Sequence, residues 1–115
     1  MTPGHQTWYI GTTEDEAALV GQGWCATDRR VLEENYQHIS WALQVDGKQV
    51  DLDSLAFYDG DMENRVCRGY TGIVQKWPVG RHVFVQTLTI DETMHDGWDT
   101  YPAGEYVDEF VITVW

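Results

Sequence analysis

Apolar and polar residues alternate along several stretches of this chain. Ile39, Trp41, Leu43 and Val45 are separated by Ser40, Ala42 and Gln44, the period-two pattern of a half-buried strand. Asp46-Gly47 follows, a dipeptide suited to the tight hairpin turn that needs positive φ at both central residues. Residues 48–52 then return as a second strand. Residues 82–90 place Phe84, Leu88 and Ile90 on one face, and residues 105–115 do the same with Tyr106, Phe110, Ile112 and Val114. Glu105, Glu109 and Thr113 point the other way, together with Val107 and Val111. Residues 6–12 read as a first edge strand through Trp8, Tyr9 and Ile10. In residues 17–27, Gly21 and Gly23 predict a bulged or sheet-switching strand. Residues 65–76 form a strand weakened by Gly69 and Gly72.

The remaining segments predict loops or are ambiguous. Glu14-Asp15-Glu16 is an acidic loop, residues 53–64 a loop anchored by Leu55, Phe57 and Tyr58, and residues 91–100 an acidic loop holding Trp98. Residues 31–38 admit one helical turn after a cap at Asp28. The preferred reading is a strand that starts at Val31, breaks near Asn35 and resumes at Ile39.

One unit occurs twice. Trp77-Pro78-Val79-Gly80-Arg81-His82-Val83 is followed 24 residues later by Tyr101-Pro102-Ala103-Gly104-Glu105-Tyr106-Val107. Pro fixes φ at the first corner of a turn, and Gly supplies the positive φ of a type II turn. Each unit turns tightly and enters a long strand. Closely spaced turn signals, with no long helical pattern, predict an all-β domain spanning residues 1–115. The expected form is an antiparallel β-sandwich of about seven strands, with a small barrel as second choice.

Length and charge narrow the function. A chain of 115 residues can build a core without a metal. Nineteen acids against seven bases give a net charge of −12, which favours a solubilising surface. Only Arg29 and Arg30 are adjacent bases, so the basic stripe that phosphate binding requires is missing and nucleic acid is disfavoured. No stretch reaches the roughly 20 apolar residues of a membrane span. Residues 1–5 show neither a basic nor an apolar leader region. Cys25 and Cys67 lie in separate strand-like segments outside any Cys-x-x-Cys motif. The expectation is one disulfide and an oxidising compartment, the alternative being two free core thiols.

Pro78-Val79-Gly80-Arg81-His82-Val83 and Pro102-Ala103-Gly104-Glu105-Tyr106-Val107 resemble the late strands of bacterial extracellular immunoglobulin-like modules of the PKD-like and CARDB-like class. Trp41 resembles the core Trp of such folds. The similarity covers roughly residues 39–115. It implies an immunoglobulin-like sandwich used for spacing, adhesion or protein–protein contact in a secreted or cell-surface bacterial protein, a monomeric module of a larger chain. Two features depart from antibody domains. Arg65 stands where a Tyr precedes the second Cys, and Cys67 lies before both Pro-x-Gly turns. The disulfide is therefore expected to join strands other than the antibody pair.

Chemistry is sparsely signalled. Ser40 and Ser54 are the only serines, and neither sits in a nucleophile elbow. The four histidines lack metal-ligand spacing, and the expectation is no enzyme. Asp51, Asp53, Asp59 and Asp61 offer hard oxygen ligands for calcium. From Asp59, however, Asn64 and Tyr70 stand where an EF-hand needs Gly and Glu. Asp96, Trp98, Asp99 and Tyr101 combine rings with carboxylates, a set suited to stacking and hydrogen bonding a glycan. A carbohydrate- or calcium-binding module is thus the alternative function. For Trp98 the competing expectation is a structural cap on the sandwich end.

Overall fold

The computed structural model describes residues 2–115. The described residues are all-β apart from one short helix and one 3₁₀ turn. In order the elements are β1 (Gly4–Thr12), β2 (Ala18–Ala26), α1 (Arg29–Tyr36), β3 (Ile39–Val45), β4 (Lys48–Gln49), the 3₁₀ turn (Leu52–Ser54), β5 (Ala56–Met62), β6 (Arg65–Val74), β7 (Gly80–Ile90), β8 (Met94–His95), β9 (Thr100–Tyr101) and β10 (Gly104–Val114). Five strands form one sheet in the order β1-β10-β7-β3-β4, and three form a second in the order β2-β6-β5. β8 and β9 pair as a small hairpin. β1 runs parallel to β10, unlike the wholly antiparallel arrangement expected; every other pairing is antiparallel.

The repeated units begin the two central strands. β7 and β10 pair along their whole length, from Gly80 opposite Val114 to Gly104 opposite Ile90. The two glycines thus stand at opposite ends of one ladder. Their φ values are +130° and +145°, well beyond the roughly +80° of a type II turn. Positive φ was needed, but at the first residue of a strand rather than inside a turn. In both units the ring four residues after Pro reaches back to it. The Tyr106 hydroxyl donates to the Pro102 carbonyl at 2.6 Å, and His82 Nε2 donates to the Pro78 carbonyl at 2.7 Å.

His82 also holds the β3–β4 hairpin. Asp46 and Gly47 have φ of 50° and 81°, the positive pair that the sequence predicts. One Asp46 oxygen lies 2.7 Å from His82 Nδ1, and the other accepts the Val83 N–H at 2.8 Å. A carbonyl and a carboxylate both accept, an arrangement that favours protons on both ring nitrogens of His82 and raises its pKa.

Two apolar clusters join the sheets. One brings Trp24, Ala26 and Val66 of the three-stranded sheet against Leu88, Ile90 and Tyr106 of the five-stranded sheet, with Leu32 of α1. The other packs Val20, Val74 and Leu55 on Leu43, Trp77, Phe84, Ile112 and Val114. Trp41 lies partly buried against the first cluster.

Two segments differ from the sequence expectation. Residues 31–38 are not a strand: Asp28 caps α1 by accepting the Val31 N–H at 2.9 Å. The buried residues Leu32 and Asn35 stand three apart, the spacing of one helix face. Asn35 is a buried link rather than a break. Its amide oxygen accepts from Trp24 Nε1 and its amide nitrogen donates to the His95 carbonyl, both at 3.0 Å. Arg68 fastens α1 from outside, donating to Glu33 and, at 2.6 Å, to Asp59 while lying 4.9 Å over the Tyr36 ring.

Second, most of residues 53–64 is strand β5. It pairs with β6, placing Tyr58 directly opposite Gly69, which is itself opposite Gly23. A Cβ on Gly23 would lie 2.0 Å from the Tyr58 hydroxyl oxygen, and one on Gly69 would lie 2.1 Å from the Gln22 carbonyl. These glycines make no bulge. They give the Tyr58 side chain a bare strip of backbone to lie across. On the same face Cys25 and Cys67 stand directly opposite each other and form the disulfide. It links neighbouring strands within one sheet.

Two predictions follow from these contacts. The His82 pKa is raised, chiefly by Asp46 and then by the Pro78 carbonyl, and the Asp46 pKa is lowered, chiefly by His82. The imidazolium's contribution is complete below the ordinary value of 6.5 and is lost as pH rises through the raised folded value. The carboxylate's contribution is present above 3.8 and is lost as pH falls through the depressed value. The difference in melting temperature between wild type and His82→Gln should therefore peak in mildly acidic solution and shrink above neutrality. A difference independent of pH would refute the charged pair. Separately, the disulfide closes a separation of 42 residues, so Cys25→Ser/Cys67→Ser should lower stability by roughly 4 kcal/mol in a denaturant melt.

Candidate functional site

The two sheets differ in width, and the difference leaves a cleft. β2 is an edge of the three-stranded sheet. It lies over β7 and β3, because Gln86 Nε2 donates to the Gly21 carbonyl at 3.1 Å and Gln22 Nε2 to the Ala42 carbonyl at 3.2 Å. β10 and β1 extend past it.

The free edge of β2 carries a defined set of backbone groups. The Cα atoms of Cys25 and Cys67 are 4.1 Å apart, the close spacing of a non-hydrogen-bonded antiparallel pair. Leu19, Gly21 and Gly23 share that phase, so their N–H and C=O groups, like those of Cys25, point away from β6. The Gly21 bond to Gln86 agrees with this, as does Thr27, whose N–H donates outward to the Asp96 carbonyl at 2.9 Å.

The Thr27 bond also docks the loop that ends the cleft. One Asp96 carboxylate oxygen accepts the N–H groups of Trp98 and Asp99, each at 2.8 Å. Gly97 has φ of +103°, and a Cβ there would lie 2.0 Å from Thr27 Oγ1. Only Gly lets the loop come this close. Tyr101 meets Trp24 edge-on with centroids 4.8 Å apart. Burial, then Asp96, pushes its hydroxyl pKa up to about 12, so Tyr101 is a neutral donor at physiological pH.

A cleft of about 490 Å³ results. Trp24, Trp41, Leu88 and Tyr106 supply apolar wall, Gln22, Gln86 and Asp108 supply polar groups, and Trp98 and Tyr101 stand at the loop end. Two rings are held in place through their indole nitrogens: Trp24 donates to Asn35 and Trp41 donates to the Tyr36 hydroxyl at 3.2 Å. Gln22 is 7% exposed, and its amide oxygen has no partner. A second hollow of about 440 Å³ shares Gly21 and Gln86 with the first and continues toward Trp77, Phe110 and Ile10. Together they form one groove along β2.

Of the four ligand candidates in the acidic loop, Asp96, Trp98 and Tyr101 line the cleft and Asp99 does not. Asp96 is 5% exposed and committed to its own loop. Trp98 is 49% exposed, so half its ring surface stays in solvent. Sequence reasoning missed Gln22, Gln86 and Asp108. The signal available for Gln22 was its place between two glycines, which thins the strand on either side of it.

The calcium candidates are not brought together. Asp51 caps the 3₁₀ turn by accepting the Asp53 N–H at 3.0 Å. Asp59 is paired with Arg29 and Arg68 at 2.5 and 2.6 Å, and Asp61 lies 3.6 Å from Arg29. Among the described residues no three acidic, His or Cys side chains are grouped as metal ligands.

No family model matches the chain, and neither a curated protein nor a solved structure matches it.

The Trp pair at the cleft should separate on mutation. Trp24→Ala removes a buried ring and should cost about 3–5 kcal/mol. Trp98→Ala should cost about 1 kcal/mol or less, as for a surface position. Denaturant melts of both variants decide this, and an equal loss would make Trp98 a structural cap.

Proposed function

We propose that this chain is a non-catalytic immunoglobulin-like module of a secreted or cell-surface protein, acting by adhesion or protein–protein contact through the groove beside β2. The observation that carries this reading is a roofless groove between two sheets, with fixed aromatic walls and an unpaired strand edge. The sheet orders support the immunoglobulin likeness: five and three strands correspond to the variable-type arrangement without its first strand in the smaller sheet. The repeated Pro-x-Gly units support a PKD-like or CARDB-like relationship, since they open the two central strands. The disulfide favours an oxidising compartment. Among the described residues no helix is long and apolar enough to cross a membrane. The carboxylate of Asp96 is spent on backbone N–H groups, which leaves the cleft without a second carboxylate to partner Asp108 in acid–base chemistry.

A glycan ligand is the second reading. It is favoured by the half-exposed ring of Trp98 beside the neutral Tyr101 donor, with Gln22 and Asp108 in reach of the same cleft.

Asp108→Arg should preserve the fold and disrupt the groove. Wild type and this variant can be screened on arrays of extracellular protein domains and of glycans. The contact reading expects a protein ligand that the variant loses. Glycans alone, lost in the variant, would favour the second reading. No variant-sensitive binding on either array would leave only a spacer.

A further inference from the structure

We infer that the groove takes an extended, basic segment of a partner protein as a fourth strand beside β2, an inference that rests on the contact-module reading. Two independent observations carry it, and charge selects the occupant.

First, the backbone is ready. Leu19, Gly21, Gly23 and Cys25 turn their N–H and C=O groups to the open side at every second residue, the spacing at which an added strand forms its ladder. Among the described residues Leu19 and Gly23 have no backbone–backbone partner on that side. The protein itself occupies the edge at two points, the Gly21 carbonyl, which accepts from Gln86, and the Thr27 N–H, which donates to Asp96.

Second, the floor is ready. Parallel register places Trp8 beside Phe110 and Ile10 beside Ile112 on the inner face of the larger sheet. Because β2 lies over β7, a strand added at its edge would lie over β10 and β1. Trp8 and Ile10 are 49% and 46% exposed. They are apolar side chains on an inner face with no second layer above them. Inward side chains of an added strand would cover them, so the occupant alternates apolar and polar residues.

Charge selects the sign of the occupant. Glu16 lines the Trp77 end, with Glu14 and Asp15 next to it, and Asp108 lines the other hollow. Two cations offset them in part, Arg65 in the first hollow and Lys76 beside Glu14, Asp15 and Glu16. The whole chain carries −12. The added strand is therefore basic on its polar positions, most of all where it passes Glu16.

The test uses a library of displayed twelve-residue peptides selected on the folded, oxidised chain. Enriched peptides should alternate apolar with Lys or Arg and lack Pro. Synthetic copies should bind the Leu19→Pro variant more than about tenfold more weakly. Pro there removes one outward N–H and sets its ring in the path of the added strand, while the β2–β6 bonds on the other side are untouched. A melt checks that the variant folds. Should it not fold, amide exchange on the wild type serves: bound peptide should slow the amides of Leu19, Gly21, Gly23 and Cys25 and leave the outer face of β10 unchanged. Selection without enrichment, enrichment without alternation, or unchanged exchange at those four amides overturns the inference. If the arrays give an Asp108→Arg-sensitive ligand while selected peptides ignore Leu19→Pro, strand addition fails and the contact module stands.

Discussion

The β7–β10 ladder is the constraint on which the rest of the molecule depends. Both strands pair over eleven residues with no gap, and each contributes its alternate side chains to the core between the sheets. β3 attaches to one side of the pair and β1 to the other. The ladder's ends are set by the same device used twice: a Pro corner, a strand-opening Gly and a ring that bonds back to the Pro carbonyl. His82 then extends the device to the neighbouring hairpin through Asp46. The tyrosine version is neutral, and the histidine version is strengthened when the ring is protonated. One corner is therefore indifferent to mild pH change and the other is not.

The smaller sheet is held by different means. Its strands contain Gly21, Gly23, Gly69 and Gly72, which contribute little packing of their own. A tyrosine laid across two of them, a disulfide between opposed residues and the Arg68 network to α1 replace the missing side-chain contacts. Glycine in a strand loosens it unless another ring fills the space, and here Tyr58 fills it on one face only. Toward the free edge nothing comparable covers the backbone.

Most of the large sheet was legible in the sequence because its strands alternate cleanly and its turns use Asp-Gly and Pro-x-Gly. What stayed hidden has physical reasons. In residues 31–38 the buried polar residue Asn35 resembles a strand break unless the partners of its amide are known, and both come from distant strands. In residues 53–64 acids and Gly60 read as loop, but Asp59 is neutralised by Arg29 and Arg68 from across the fold. The acidic loop was legible as a feature, and Trp98 and Tyr101 do reach the cleft. Gln22, Gln86 and Asp108 were not, because which strand overhangs which is decided by the relative widths of the sheets. No local pattern encodes that.

An exposed strand edge is ordinarily a hazard, since two copies can pair along it. Here the charge argues against that outcome. Two copies each carrying −12 repel, and salt weakens that repulsion over a screening length of about 8 Å at physiological ionic strength. A basic segment meets the opposite field. The net charge therefore opposes a second copy at this edge and would favour the basic segment proposed above. Apolar floor, open backbone and acidic rim are compatible as a heterotypic contact surface, and as a self-association surface they oppose one another.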